Sequence, residues 1–255
     1  MKWLLPSCLA VLATVSAVCA PVAQAATPVT VAFGTTWDGP GQDLQSVVDA
    51  SLGAPGLINV QTDFIGAHAG DLDPWFWVGS SFPTLLITEV ASNANTSDLG
   101  WYSEDFSHPL IDGVQDGLVF SGSQGTGSSV LVTFPSGTTR FGFYLDTHTI
   151  VQPPTGVENQ VFFTNRFHND IGPSGMGSLH APLDGDVQAL VFDVSQWKGT
   201  NTWLVCFEDR DSGQAIAPCC DGTDNDFNDM VFQITADGAT PTQKTSFGAV
   251  KAGGR

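Results

Sequence analysis

Short apolar or alternating runs recur along this chain between clusters of Gly, Pro, Asn and Asp: "VTVAF", "LINVQTDFI", "TLLITEV", "GLVFSG", "SVLVTF", "RFGFYL", "QVFFTNRF", "VQALVFDV", "TWLVCFED" and "DMVFQIT". Each run suits a strand and is too short for a helix spanning three or more turns, so the chain reads as a set of strands joined by turns. The fold class expected is all-β, an antiparallel β-sandwich of jelly-roll-like form. Alternation assigns faces: Phe141, Phe143 and Leu145 share one side of their strand, as do Trp203, Val205 and Phe207, and Met230, Phe232 and Ile234. These are the expected core. One short helix is expected near the N-terminus, in "DLQSVVDASLG": Asp43 caps it, Leu44, Val47, Val48 and Leu52 line one face, and Gly53 stops it.

The first 25 residues carry Lys2, an apolar run from Leu4 to Ala20 and the small-residue stretch "AQA" at Ala23–Ala25, the pattern of a secretory signal peptide cleaved after Ala25. No later segment approaches the roughly 20 apolar residues of a transmembrane helix. The expected organisation is therefore a signal peptide over 1–25, one β-rich domain over 26–237 and a short basic tail over 238–255 with Lys244, Lys251 and Arg255. That tail reads as a sorting or tethering tag or as a frayed terminus. The chain has a net charge of −18, which makes nucleic acid and anionic membranes poor partners and cations or basic surfaces plausible ones. Acidity of this degree also suits disorder, but 7 Trp and 17 Phe argue for a packed fold.

The charge is concentrated. Phe207 to Phe232, "FEDRDSGQAIAPCCDGTDNDFNDMVF", holds Glu208, Asp209, Asp211, Asp221, Asp224, Asp226 and Asp229 against Arg210 alone. Strands flank this stretch, so its carboxylates crowd one rim of a strand-loop-strand unit. Side chains alternate along an extended strand, so Glu208 and Asp209 aim at one point only if the strand twists or ends there. Asp224, Asp226 and Asn228 recur at every second residue, which lets a tight loop wrap hard oxygens around one ion.

Two like charges about 4 Å apart cost on the order of 4 kcal/mol at an effective dielectric near 20, so a folded loop of this composition favours a counterion. Calcium takes six to eight oxygen ligands in tolerant geometry and suits such a set better than magnesium. The expected ligands are Glu208, Asp209, Asp224, Asp226, Asn228 and Asp229. This is not an EF-hand, because Asp229 stands where that loop needs Gly and Thr235 where it needs Glu. The alternative is a solvated acidic loop whose Asp side chains make Asx turns with their own backbone.

Beyond the leader lie Cys206, Cys219 and Cys220. A bridge from Cys206 to either neighbour of the pair would close a loop of about 15 residues, worth roughly 3 kcal/mol, and staple the base of the acidic stretch. A strained bridge between Cys219 and Cys220, an intermolecular bond and a thiolate metal site are the alternatives.

"WLVCFEDRDSG" followed by "DGTDNDFNDMVFQIT", with "TTRFGFYL" upstream, resembles the closing signature of a bacterial extracellular family known as domain of unknown function 4114. Its members end in a Phe-Glu-Asp strand, a Gly- and Asp-rich loop and an Asp-Phe-Asn-Asp or Asp-Tyr-Asn-Asp strand. The similarity covers about Val130 to Ala236. It implies a calcium-binding β-rich module on secreted, surface-attached and adhesin-like bacterial proteins, with Glu208, Asp209, Asp224, Asp226, Asn228 and Asp229 as its motif residues. The "APCC" segment departs from the short loop of that pattern, and no catalytic activity comes with the resemblance.

Elsewhere, "GDLDPWFWVG" offers Trp75 and Trp77 as a carbohydrate-stacking platform, although adjacent aromatics more often divide between core and surface. "LGWYSEDFSHP" reads as a structured loop. His68, His108, His148, His168 and His180 are scattered, with no His-Glu-x-x-His pair, and no Gly-x-Ser-x-Gly elbow occurs. The expected function is a secreted or cell-surface calcium-binding module for extracellular interaction or adhesion, not an enzyme, whose partner is a surface glycan or another extracellular protein. The alternative is a secreted carbohydrate-active enzyme or carbohydrate-binding protein using a carboxylate pair and the Trp75/Trp77 region.

Overall fold

The computed structural model describes residues 31, 33–34, 39–68, 75–78, 82–89, 96–104, 109, 111–151, 158–169, 187–210 and 224–235. In chain order these form α1 (Leu44–Leu52), β1 (Phe76–Trp77), β2 (Phe82–Glu89), β3 (Asp98–Ser103), β4 (Asp116–Phe120), β5 (Ser129–Val132), β6 (Arg140–Val151), β7 (Glu158–Phe163), α2 (Arg166–Asn169), β8 (Ala189–Asp193), α3 (Ser195–Lys198), β9 (Thr202–Phe207) and β10 (Met230–Thr235). The signal peptide, the basic tail, Cys219 and Cys220 lie outside the described residues.

The strands build two five-stranded antiparallel sheets. In the first, β6 pairs along one edge with β3, which pairs on with β4; its other edge takes β1 and β7 end to end. The second runs β5-β2-β10-β9-β8. Between them lies a Phe-rich core. Phe76, Leu99, Trp101, Phe141, Phe143 and Leu145 of the first sheet meet Phe82, Leu86, Trp203, Val205, Phe207, Met230, Phe232 and Ile234 of the second. The rings interlock mostly edge-on, as between Phe143 and Phe232, whose centroids are 4.9 Å apart, which suits the quadrupole of an aromatic face. The fold is thus the expected β-sandwich, and the three face assignments hold.

Over β8, β9 and β10 the second sheet is buried on both faces, which explains why "TWLVCF" reads as a nearly continuous apolar run. Leu190, Phe192, Leu204, Cys206 and Val231 point away from the sandwich into a second cluster with Leu44 and Val48 of α1 and with Ile58, Val60 and Phe64. The helix has the expected ends: Asp43 accepts from Ser46 N at 3.0 Å, and Gly53 closes it in the left-handed region.

Two expectations need correction. "LINVQTDFI" is a series of turns and not a strand, because its polar residues satisfy the backbone locally: Asn59 N donates to Asp63 Oδ2 and Gln61 N to Asn59 Oδ1. Ile58, Val60 and Phe64 instead plug the outer face of the second sheet, and Ile65 joins the core between the sheets. "DLGWYS", read as part of a loop, is β3 at the middle of the first sheet. Gly100 masked its alternation, and glycine is required there because a Cβ would collide with the Tyr144 ring on the neighbouring strand.

Replacing Phe143, fully buried between the sheets, with Ala is expected to cost about 3–5 kcal/mol in urea unfolding. Leu118→Ala, at a residue 57% exposed, should stay within about 0.5 kcal/mol. Equal losses at the two positions would contradict the layer assignment.

Candidate metal centre

The ladder between β9 and β10 ends where Phe207 faces Met230, and the next residues on both sides are acids. Because β9 stops at Phe207, Glu208 and Asp209 escape strand alternation and converge, the exception foreseen for a strand end. The Asp209 backbone N–H donates to Asp229 Oδ2 at 2.7 Å, and Glu208 N donates to Gln188 O at 3.0 Å, tying the rim to the strand beside it.

Returning toward β10, residues 224–228 fold back over the sheet end. The backbone N–H groups of Asp226 and Phe227 both donate to Glu208 Oε2, at 3.1 and 3.3 Å, so two successive amides hold one carboxylate oxygen. Asn228 N donates to Asp226 Oδ1 at 3.3 Å, an Asx-type turn. Asn225 and Phe227 take positive φ, 50° and 56°. Asn tolerates that region, but a bulky residue held there is strained by about 1–3 kcal/mol. Complete burial of the Phe227 ring in the outer cluster, against Phe33 at 5.7 Å, offsets this with a contribution of similar size. The ring anchors the loop and leaves its polar neighbours at the rim.

Two groups of three carboxylates result, Glu208 with Asp224 and Asp226, and Glu208 with Asp209 and Asp229, each with one oxygen per residue within 4.8 Å of the others. Glu208, Asp209, Asp226 and Asp229 are all at most 7% exposed, and Asn228 is fully buried beside them. The five acids expected as ligands thus fall into two groups that share Glu208, with Asn228 joined to one of them through its backbone N–H to Asp226. Glu208, Asp209, Asp226 and Asp229 are not solvated, although one Asx turn of the alternative reading is present and residues 211–223 lie outside the described residues. Burial first, then the charges of Glu208 and Asp209, raise the Asp229 carboxyl well above its ordinary value. At 4.8 Å two ionised carboxylates repel by about 3–4 kcal/mol at an effective dielectric near 20. Such a set can hold a metal ion.

Cys206 is a free thiol buried in the outer cluster, where burial pushes its ionisation up, so the expected bridge from it is not part of the described structure. Its side chain follows strand alternation away from the interior of the sandwich, beneath α1. Trp75 is half-buried with the Arg140 guanidinium 5.0 Å from its ring centroid, while Phe76 enters the core and Trp77 pairs by backbone with Arg140. Sequence reasoning missed Gly34, Gln42 and Glu89: Gly34 N donates to Asn225 O, Gln42 O accepts from Asn228 Nδ2 at 2.6 Å, and Glu89 lies across from Met230 at the same rim. No local signal marks a lone Gly or a backbone carbonyl as part of a distant loop. It also missed a buried network in which Glu104 takes Tyr102 Oη at 2.6 Å, with His168 Nε2 at 3.1 Å and Asn165 Nδ2 at 3.3 Å. His148 lies 3.0 Å from Asp98 and 3.3 Å from Asp146.

Comparison with protein-family models, curated proteins and solved structures finds no match to this chain. Among the described residues no helix is long and apolar enough to cross a membrane.

The Asp229 shift has a definite sign. The folded chain keeps a proton that the unfolded chain releases near pH 3.8, so ion-free stability falls as pH rises above that value, and the loss is complete beyond the raised folded value. In EDTA the melting midpoint is expected to drop as pH rises above 3.8, and Asp229→Asn to flatten that slope. A slope unchanged by the substitution would assign the effect to other groups.

Proposed function

We propose that the chain is an exported calcium-binding β-sandwich module of the kind its closing motif resembles, holding one structural Ca2+ at the β9–β10 rim and serving cell-surface or extracellular-matrix adhesion. The observation that carries this reading is the pair of buried carboxylate groups sharing Glu208. Calcium supplies the positive charge that relieves their repulsion, and its variable coordination number accepts acids from a strand end and a loop together. Glu208, Asp209, Asp224, Asp226 and Asp229 would hold it, with Asn228 as a neutral oxygen donor. The leader over 1–25 would deliver the chain to an oxidising, calcium-rich compartment, where a surface glycan or another extracellular protein is the partner in view. A non-enzymatic role fits the burial of these acids, since a glycosidase needs two carboxylates flanking a sugar in an open cleft.

Calcium added to the EDTA-treated mature chain is expected to raise the melting midpoint, the gain reaching about 2.7 kcal/mol at 100 times the dissociation constant. The double variant Asp226→Ala, Asp229→Ala should lose that rise. A wild-type midpoint indifferent to calcium would refute the proposal.

A further inference from the structure

The rim is built from three parts of the chain, and the third is the segment ahead of α1. Gly34 N donates to Asn225 O at 3.0 Å, between the acids Asp224 and Asp226. The approach is so close that a Cβ on Gly34 would collide with the Asp224 carbonyl oxygen. Eight residues on, the Gln42 carbonyl takes the Asn228 side-chain N–H, which fixes the Asn228 amide and turns its oxygen to the opposite side of the group. Phe33 lies against Phe227, and both pack with Leu44 and Val48 of α1 on the outer face of the second sheet. Residues 224–228 therefore touch the N-terminal segment through backbone, amide and ring.

We propose that Gly34 is a positioning residue for the ion site, and that Phe33, Gly34, Gln42 and α1 hold the cation together with the 224–228 loop as one unit. The inference rests on the calcium reading above. Gly34 carries no ligand atom on a side chain, so its effect passes through the place it gives Asp224 and Asp226. Linkage makes the relation reciprocal: the factor by which the docked segment tightens the cation is the factor by which the cation tightens the segment.

The test uses the full mature chain as wild type, Gly34→Val and Gly125→Ala, the last at a glycine with open space around it. Calorimetry gives calcium affinity, terbium luminescence lifetimes in H2O and D2O count waters on the bound ion, and hydrogen exchange follows the α1 amides with calcium and with EDTA. Gly34→Val should weaken calcium about 10- to 100-fold and admit more water to bound terbium, with Gly125→Ala unchanged. In the wild type, calcium should slow α1 exchange by a comparable factor. Amides of β9 and β10 must stay protected in Gly34→Val; if they do not, Phe33→Ala, which keeps the backbone approach, replaces it with a smaller expected loss of about threefold. A variant that binds like wild type, with α1 exchange indifferent to calcium, overturns the positioning role and leaves the calcium reading standing. A wild-type chain that takes up neither ion overturns both.

Discussion

At one end of the second sheet four carboxylates lie at most 7% exposed, in two groups that share Glu208, and each close pair opposes folding by several kcal/mol if both members are ionised. The neighbouring structure is arranged around that constraint. β9 ends at Phe207 so that two consecutive acids can face one point, the amides of Asp226 and Phe227 converge on Glu208, and Asp209 N–H is given to Asp229. Backbone dipoles of this kind lessen the repulsion without bringing a full positive charge, and burial first, then the charges of Glu208 and Asp209, still raise the Asp229 carboxyl.

The contrast with Glu104 is informative. That buried acid sits on the outer side of the first sheet and receives a phenol, a side-chain amide and a histidine ring, donors of ordinary protein chemistry gathered from β3, the β7–α2 turn and α2. A single acid can be satisfied this way. Five acids at one rim cannot each be given such a set without as many donors packed into the same volume, and a divalent cation meets the same need with one particle.

How much of this could be read beforehand follows from how local each determinant is. The α1 caps, the core alternation of β6, β9 and β10 and the grouping of the acids depend on residues close in sequence, and all were legible. β3 was not, because Gly100 yields its space to Tyr144 of β6, a relation visible only across strands. The turns over 57–65 looked like a strand because Ile58, Val60 and Phe64 serve the outer face of the second sheet at a spacing that imitates alternation. The roles of Gly34 and Gln42 at the rim were hidden for a related reason: both act through backbone atoms, which every residue type carries.

Phe227 shows why these levels cannot be separated. A large apolar residue in the midst of "DNDFND" would be a liability in a solvated loop, and its positive φ adds strain. Both features make sense once the ring is driven into the cluster under α1, because burial there selects the one backbone path on which Asp226 and Asn228 stay at the rim. The hydrophobic effect thus fixes the polar geometry. Without the N-terminal layer on the second sheet there would be no apolar site for that ring, so the covering of β8, β9 and β10 is a condition for the acidic rim as much as for the stability of the sheet.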